Sequence, residues 1–321
     1  MNLVITIDTE EDNWLPYSQD KYTTSNIDRI PQLQKIFDEY GVRPTYLVTY
    51  QMALHDKVVE ILGGIYEQGR CELGAHCHPW NTPPNEEAPV IENSMLCNLP
   101  DKLQSKKVIE VHETLKSRFR IEPKSFRSGR WGYSEAVAQT LSDLNYVVDT
   151  SITAYTDWSS CLGPDFSKIP PIPFRFSPGS IFETSIDGSL MQIPATVGFL
   201  QKDFKKASRV FNMIKNTPLQ KLRLLGILDR LGMNNKIQLS PENSTAEQMI
   251  SLAKNMKDIG YPVLNMFFHS STLTAGLTPF VQNSHDEIDF LDRIRLFLDY
   301  AIKNGIQPLT LSETAKKFTT D

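Results

Sequence analysis

The residue types that perform chemistry gather in a few short segments of this 321-residue chain. The first is Asp8-Thr9-Glu10-Glu11-Asp12. In extended backbone Asp8, Glu10 and Asp12 project to one side, because side chains alternate. Carboxylates gathered in one place repel unless a cation or a proton compensates. The cluster fits a metal ligand beside a general base; read alone, it fits a solvated acidic loop better. The second is His76-Cys77-His78-Pro79-Trp80, which holds two of the six histidines at i and i+2. In extended backbone both imidazoles face one way and Cys77 the other. That spacing suits capture of one metal ion by neutral imidazoles. Two histidines plus one carboxylate with an open position form a common catalytic zinc set.

Three further segments add groups to these. Phe126-Arg127-Ser128-Gly129-Arg130-Trp131-Gly132-Tyr133 combines arginine, glycine and aromatics. An arginine at a strand end pairs with a carboxylate and keeps it ionised. Glycine lets the backbone pass close to a ligand, and Trp131 offers its face to a sugar ring. The same segment also reads as a turn with a surface salt bridge. Asp149-Thr150-Ser151 brings another carboxylate to a strand end, or a turn residue. Met266-Phe267-Phe268-His269 delivers a histidine at the end of an apolar run, as a titratable group or as a satisfied core histidine.

Elements must position these groups. Leu3 to Ile7 is a β-branched strand. Ile27 to Tyr40 has helical spacing and stops at Gly41, where a helix C-terminus is usually closed. Pro44 to Thr49 and Cys71 to His76 read as strands, with a helix between them ended near Gly69. A Pro-rich loop from Pro79 to Pro100 precedes a charged helix from Asp101 to about Phe119. Ser125–Arg127, Glu135–Leu144 and Tyr146–Ser151 continue as strand, helix and strand. This rhythm implies parallel strands covered by helices, in a barrel or an open sheet. Asp8, His76, Arg127 and Asp149 all sit at strand ends, the positions that form the mouth of a (β/α) barrel.

The middle breaks the rhythm. Cys161 to Pro178 holds five prolines and reads as an ordered loop. Ser180 to Thr196 reads as a hairpin turning at Asp187-Gly188. Helices are expected at about 203–215 and 219–231, the first basic and the second carrying Leu222, Leu224, Leu225 and Leu228. With Lys202, Lys205, Lys206, Arg209, Lys215, Lys221 and Arg223, this stretch reads as an amphipathic pair with a solvated basic face, or as a lid or membrane-surface patch. Ser244-x-x-Glu247, Ser284-x-x-Glu287 and Thr310-x-x-Glu313 then read as capping boxes that open three helices, with strands Val263–Phe268 and Gln307–Leu309 between them.

Composition narrows the function class. Net charge is −5 and no Lys/Arg stripe exists, so a nucleic-acid partner is not expected. No apolar stretch approaches the ~18–20 residues of a transmembrane segment. The N-terminus lacks a signal-peptide pattern. The four cysteines form no CxxC pair, which fits a reducing cytoplasm.

In order and spacing the segments resemble the polysaccharide deacetylase family (NodB-homology, carbohydrate esterase family four). Thr6-Ile7-Asp8-Thr9-Glu10 resembles its first motif and Glu72-Leu73-Gly74-Ala75-His76 its second. Phe126-Arg127 through Tyr133 resembles the third, Asp149 the fourth and Phe267-Phe268-His269 the fifth. The resemblance spans about residues 1–155 and 245–318, and Leu190 to Phe199 looks like members from cell-surface polysaccharide pathways.

The resemblance implies a distorted (β/α)7 barrel: one domain over 1–321, with an inserted hairpin and helical segment at about 160–235. It implies metal-dependent removal of an acetyl group from an N-acetylated sugar, in lipopolysaccharide or capsule biosynthesis, on a carbohydrate that can be lipid-linked. Asp8 looks like the general base, Arg127 its orienting partner, His269 the general acid and Asp149 the group that tunes it. The family carries a second Asp where Thr9 stands and a second His where Trp80 stands. Glu10 and His78 are the expected substitutes, so Glu10, His76 and His78 become the ligands of a divalent ion, Zn²⁺ by preference. Trp80, Trp131 and Tyr133 are the expected substrate contacts. Two rival readings remain: hydrolysis of another C–N bond, such as a cyclic amide or imide, and a metal-free carbohydrate-binding relative.

Overall fold

The computed structural model describes residues 1–12, 14, 22–215, 217 and 224–318. From the N-terminus, β1 (Asn2–Thr9), α1 (Ile30–Glu39) and β2 (Thr45–Thr49) follow the expected rhythm. Then α2 (Tyr50–Leu54) and α3 (Asp56–Glu67) lead to β3 (Glu72–Cys77). A loop with three 3₁₀ turns reaches α4 (Asp101–Phe119), β4 (Ser125–Ser128), α5 (Glu135–Asp143) and β5 (Val148–Asp149). The middle supplies β6 (Phe174–Phe176), β7 (Leu190–Gln192), β8 (Val197–Phe199), α6 (Phe204–Lys215), α7 (Leu224–Arg230) and β9 (Lys236–Gln238). The chain closes with α8 (Ala246–Ile259), β10 (Val263–His269), α9 (Ser284–Lys303), β11 (Gln307–Pro308) and α10 (Leu311–Lys317).

Among the described residues, seven strands run parallel in the order β10, β1, β2, β3, β4, β5, β7. The two ends of this sheet meet across the segment after β7. Thr196 donates its N–H to the Asn265 carbonyl at 3.1 Å, and Asn265 donates its N–H to the Thr196 hydroxyl at 2.8 Å. The sheet therefore curls into a distorted barrel, the one of the two arrangements open to the alternation that the resemblance implies. β8 and β9 pair antiparallel and cover the seam, where Phe267 donates to the Leu239 carbonyl at 3.1 Å.

Alternation along β1 sorts the barrel into layers. Leu3, Ile5 and Ile7 belong to the large apolar core shared with the helices. Val4 joins Val148, Met191, Ile193 and Val263 in a second cluster, closed by Leu311 and Ala315 of α10. One layer up the interior is polar. Thr6 donates to Asn265 Oδ1 at 3.0 Å and accepts from Arg127 Nη2 at 2.7 Å, while Asn265 Nδ2 donates to the Thr150 hydroxyl at 2.9 Å. Asp8 comes next, at the mouth. An apolar floor beneath a hydrogen-bonded layer fixes the height and direction of the groups above it.

Some boundaries differ from expectation. The hairpin lies between Phe174 and Gln192, with Phe174↔Gln192 and Phe176↔Leu190 in register, so its first strand falls in the Pro-rich stretch. Its second strand, β7, pairs parallel with β5 and so belongs to the barrel rather than to an insertion. The α8 box is Thr245 with Gln248 and the α9 box is Asn283 with Asp286, each one residue from the expected pair. Ser244 donates instead to the Gln238 carbonyl at 2.8 Å, and Glu287 is drawn to the Ala275 N–H at 2.7 Å. The α10 box, Thr310 with Glu313, is as expected. No described helix is long and apolar enough to cross a membrane. Leu219, Lys221, Leu222 and Arg223 lie outside the described residues.

Candidate active site

Parallel strands deliver the expected groups to one end of the barrel. In register, Asp8 lies beside His269 across β1 and β10, and His76 beside Arg127 across β3 and β4. Arg127 is 1% exposed and its Nη1 donates to Asp8 Oδ1 at 2.6 Å. Its other donors reach the Thr6 hydroxyl at 2.7 Å and the Thr150 carbonyl at 3.1 Å. Burial alone would raise the Asp8 pKa, but the Arg127 guanidinium, then His76 and His269, outweigh it and hold the carboxyl below its usual range. Asp8 is thus an ionised carboxylate in a buried place, the state a general base needs.

The HxH pair behaves as its spacing implies. His76 Nδ1 lies 2.9 Å from the Arg127 carbonyl, to which it donates. His78 Nδ1 lies 2.9 Å from Glu11 Oε1. With both Nδ1–H groups engaged, the Nε2 atoms turn toward each other at 3.0 Å. Glu10 Oε2 stands 3.2 Å from His78 Nε2 and 3.9 Å from His76 Nε2. Glu10, His76 and His78 are all buried, with ligand atoms within 4.8 Å of one another. A tetrahedral ion with ligands at about 2.0–2.1 Å sets neighbouring donors roughly 3.3 Å apart. Facing lone pairs beside a carboxylate require a proton or a cation between them, so the donor set fits a divalent ion. Burial, more than any neighbour, drives the His76 pKa down to about 3, which keeps it a neutral ligand. Burial would also lower His78, but Glu11 and Glu10 outweigh it and raise it to about 9.

Glu11 was not singled out by the sequence pattern, yet it orients His78. It also accepts from the Thr49 hydroxyl at 3.0 Å and from Asn81 Nδ2. Burial opposes its ionisation, but His78 and these donors bring its pKa down to about 2. Asp12, expected on the same side as Asp8 and Glu10, is turned away. It accepts from the Ser25 N–H at 2.7 Å and from Asn26 Nδ2 at 2.6 Å. β1 ends at Thr9, so alternation no longer governs the residues beyond Glu10.

The structure corrects the expected partner of His269. Asp149 accepts from the Ser151 N–H at 2.9 Å, the Ser151 hydroxyl at 2.6 Å and Gln192 Nε2 at 2.6 Å. Its carboxylate is satisfied by these donors, and burial raises its pKa to about 6 against those bonds. Glu242, in the loop after β9, stands beside His269 where Asp149 was expected. His269 Nδ1 lies 3.0 and 3.1 Å from the two Glu242 oxygens, and the His269 backbone N–H donates to Oε1 at 2.9 Å. The Thr272 hydroxyl donates to Glu242 at 2.6 Å and fixes it. Burial would lower the His269 pKa, but Glu242, then Glu10 and Asp8, raise it to about 10. His269 Nε2 points at Asp8 Oδ2, 3.8 Å away. A protonated imidazole and an ionised carboxylate therefore face each other across one small space.

These groups line a cleft of about 370 Å³. All four tryptophans of the chain, Trp14, Trp80, Trp131 and Trp158, are on its walls. Trp80 stacks on His78 at 4.1 Å, and Trp14 meets His269 edge-on at 4.9 Å. Trp131 lies parallel to Trp158 at 6.5 Å and over the Arg127 guanidinium at 5.0 Å. Tyr133, expected to touch substrate, does not line the cleft. Two residues of chain carry it past the mouth into the core, where it is 2% exposed and packs edge-on against Phe176.

No protein-family model and no curated protein matches this sequence. The fold and cleft define a distorted β/α barrel with a histidine–carboxylate centre at its C-terminal mouth, and solved structures share that fold. The chain is similar to a Mycobacterium smegmatis protein described as a polysaccharide deacetylase. Identity is 16% and the TM-score 0.57, over 98% of this chain and 89% of that one. It is similar also to a Parabacteroides distasonis protein described as a glycoside hydrolase/deacetylase. There identity is 11% and the TM-score 0.61, over 99% of this chain and 71% of that one. The barrel is the one that the motif resemblance implied.

Proposed function

We propose that this protein is a hydrolase that removes the acetyl group from an N-acetylated sugar, with Glu10, His76 and His78 holding one divalent ion. The observation that carries this reading is the convergence of that ligand set with Asp8–Arg127 and His269–Glu242 in one tryptophan-lined cleft. When bound, a divalent ion supplies Lewis acidity toward a carbonyl oxygen and acidifies water. The protein's own groups do the rest. Asp8, kept ionised by Arg127, accepts a proton from the attacking water. His269, kept protonated by Glu242, gives a proton from Nε2 to the departing amine nitrogen. Separated pKa values assign the two roles. The tryptophans offer flat apolar faces to pyranose rings and exclude water.

We read the ion as Zn²⁺, because two imidazoles and one carboxylate suit it. The substrate is read as a unit of a surface polysaccharide, lipid-linked and processed in the cytoplasm. The feature that supports lipid linkage is the outer face of α6 and α7. Lys205, Lys206, Arg209 and Met213 of α6 are exposed, and so is Ile227 of α7. A basic face mixed with exposed apolar side chains suits an anionic membrane surface. Incubating the zinc-loaded protein with N-acetylated glycans and measuring released acetate tests the activity. Acetate that tracks added zinc supports it; none from any N-acetyl sugar overturns it. Binding to anionic vesicles that is unchanged in a Lys205→Glu, Arg209→Glu double variant would remove the lipid-surface part alone.

A further inference from the structure

We infer that Trp158 and Gln238 form a subsite for a second, neutral sugar ring beside the one that carries the amide, and that Lys236 is the positioning residue that holds this wall. The inference rests on the deacetylase reading above and narrows its substrate class to a glycan of two or more units. All three residues lie in the middle of the chain, outside the segments that carry the motifs, and the proton transfers just described leave them unused.

Three observations converge on them. The first is how the wall is held. Tyr155 adopts a φ of +53°, a conformation that bulky L-residues rarely enter and that gathers at functional sites. Lys236, the first residue of β9, donates from Nζ to the Tyr155 carbonyl at 2.7 Å, and its ammonium lies 4.8 Å from the centre of the Phe211 ring of α6. Lys215, at the end of α6, donates to the Asp157 carbonyl at 3.2 Å. Two lysines thus tie one turn to β9 and α6. That turn puts Trp158 on the cleft wall, where its Nε1 donates to the Thr153 hydroxyl at 2.7 Å and its ring lies 13° from parallel with Trp131.

The second observation is the placement of Gln238. Side chains alternate along a strand, so Lys236 and Gln238 share one face of β9. The face that grips the turn through Lys236 therefore also carries Gln238, which lines the cleft with its register partner Val197. Its backbone carbonyl accepts from Ser244 at 2.8 Å, whereas its side-chain amide has no hydrogen-bond partner among the described residues. An amide presents donors and an acceptor together, and a sugar hydroxyl both donates and accepts.

The third observation is position and charge. Trp80 and Trp14 contact His78 and His269, so they flank the ring whose amide is cut. The ring contact of Trp158 is with Trp131 instead. Trp158 and Gln238 are uncharged, and the Lys236 ammonium is spent on the turn and does not line the cleft. A flat apolar face beside an amide suits a neutral pyranose.

The test uses the full chain and three neutral probes: methyl N-acetylglucosaminide with one ring, and N,N′-diacetylchitobiose and N-acetyllactosamine with two. Acetate release is measured with added zinc, and binding by calorimetry with and without it. Wild type is expected to bind at least one two-ring probe roughly 10- to 100-fold more tightly than the one-ring probe, the combined worth of a ring contact and a neutral hydrogen bond. Gln238→Ala should reduce that ratio about 3- to 10-fold, and Trp158→Ala by about as much. Lys236→Met should raise KM for the two-ring probe and keep its kcat, while Lys236→Arg, which retains a donor, should recover part of the affinity. If wild type treats one-ring and two-ring probes alike, the inference fails whether or not acetate is released. If the variants weaken all probes by the same factor, these residues serve the fold and the inference fails. If the two-ring preference in binding persists without acetate release from any probe, the deacetylase reading falls and the subsite stands.

Discussion

Replacing Glu242 by Gln keeps the size of the side chain and removes its charge. In the native protein both carboxylate oxygens lie within 3.1 Å of His269 Nδ1, and the histidine pKa stands at about 10. A hydrogen bond between charged partners is worth about 1.5–3 kcal/mol, and each pKa unit corresponds to about 1.4 kcal/mol. The substitution should therefore lower the His269 pKa by about 1–2 units. In its proposed role as the acid, His269 must be protonated, so the rate falls as pH rises through its pKa. The alkaline limb of kcat/KM should move to lower pH by that amount. A divalent ion nearby lowers both limbs together and leaves the difference. Stability follows the same sign. A folded-state pKa raised above 6.5 gives stabilisation that is complete below about pH 6.5 and is lost as pH rises through about 10. The melting-temperature deficit of Glu242→Gln should then be large near pH 6 and shrink toward pH 10. Rate profiles on an N-acetyl sugar and on an activated acetyl ester complete the assay, since the ester needs little protonation of its leaving group. An unmoved alkaline limb, or equal losses on amide and ester, would refute the assignment of Glu242 and His269 as tuner and acid.

Other perturbations separate the remaining roles. Asp8→Asn should abolish nearly all acetate release and keep the bound metal, as read by metal analysis; loss of metal would make Asp8 a ligand. Glu11→Gln should weaken zinc binding about 10- to 100-fold, the usual effect of removing a carboxylate behind a ligand histidine, measured by competition with a chelator. Lys107 of α4 is fully buried and donates to the carbonyls of Pro79 at 2.8 Å and Thr82 at 2.6 Å, beside Glu87 at 2.9 Å. Lys107→Met strands those acceptors and should cost about 3–5 kcal/mol in denaturant unfolding. Trp80→Ala and Trp131→Ala should raise KM for sugar substrates more than they lower kcat; a pure kcat effect would show that neither ring binds sugar.

Much of the site was legible because parallel strands are short, apolar and end on the working residue. Asp8, His76, Arg127 and His269 could be placed at strand ends from that pattern, while the roles expected of them came from the motif resemblance. The i, i+2 histidines also behaved as extended backbone requires. What failed depended on contacts between distant segments or on chain direction past a strand end. Glu242 lies in an irregular loop 27 residues before His269, and no periodicity links the two. Asp149 sits at a strand end like the others, but Ser151 two residues on captures its carboxylate. Glu11 and Asp12 exchanged their expected importance because the chain leaves extended geometry after Thr9. The shifted caps of α8 and α9 arose where two adjacent polar residues both fit a capping pattern and tertiary contacts claimed one of them. Tyr133 shows the same limit: a motif gives a residue's neighbours in sequence but not the side of the wall on which its ring falls.

The central claim is that Glu10, His76 and His78 hold one divalent ion on which deacetylation depends. Metal content and acetate release measured on the same samples of wild type and His78→Ala test it most directly. The account predicts one zinc equivalent with acetate release in wild type, and loss of both in the variant and after chelation. Undiminished acetate release from metal-free wild-type protein would contradict it.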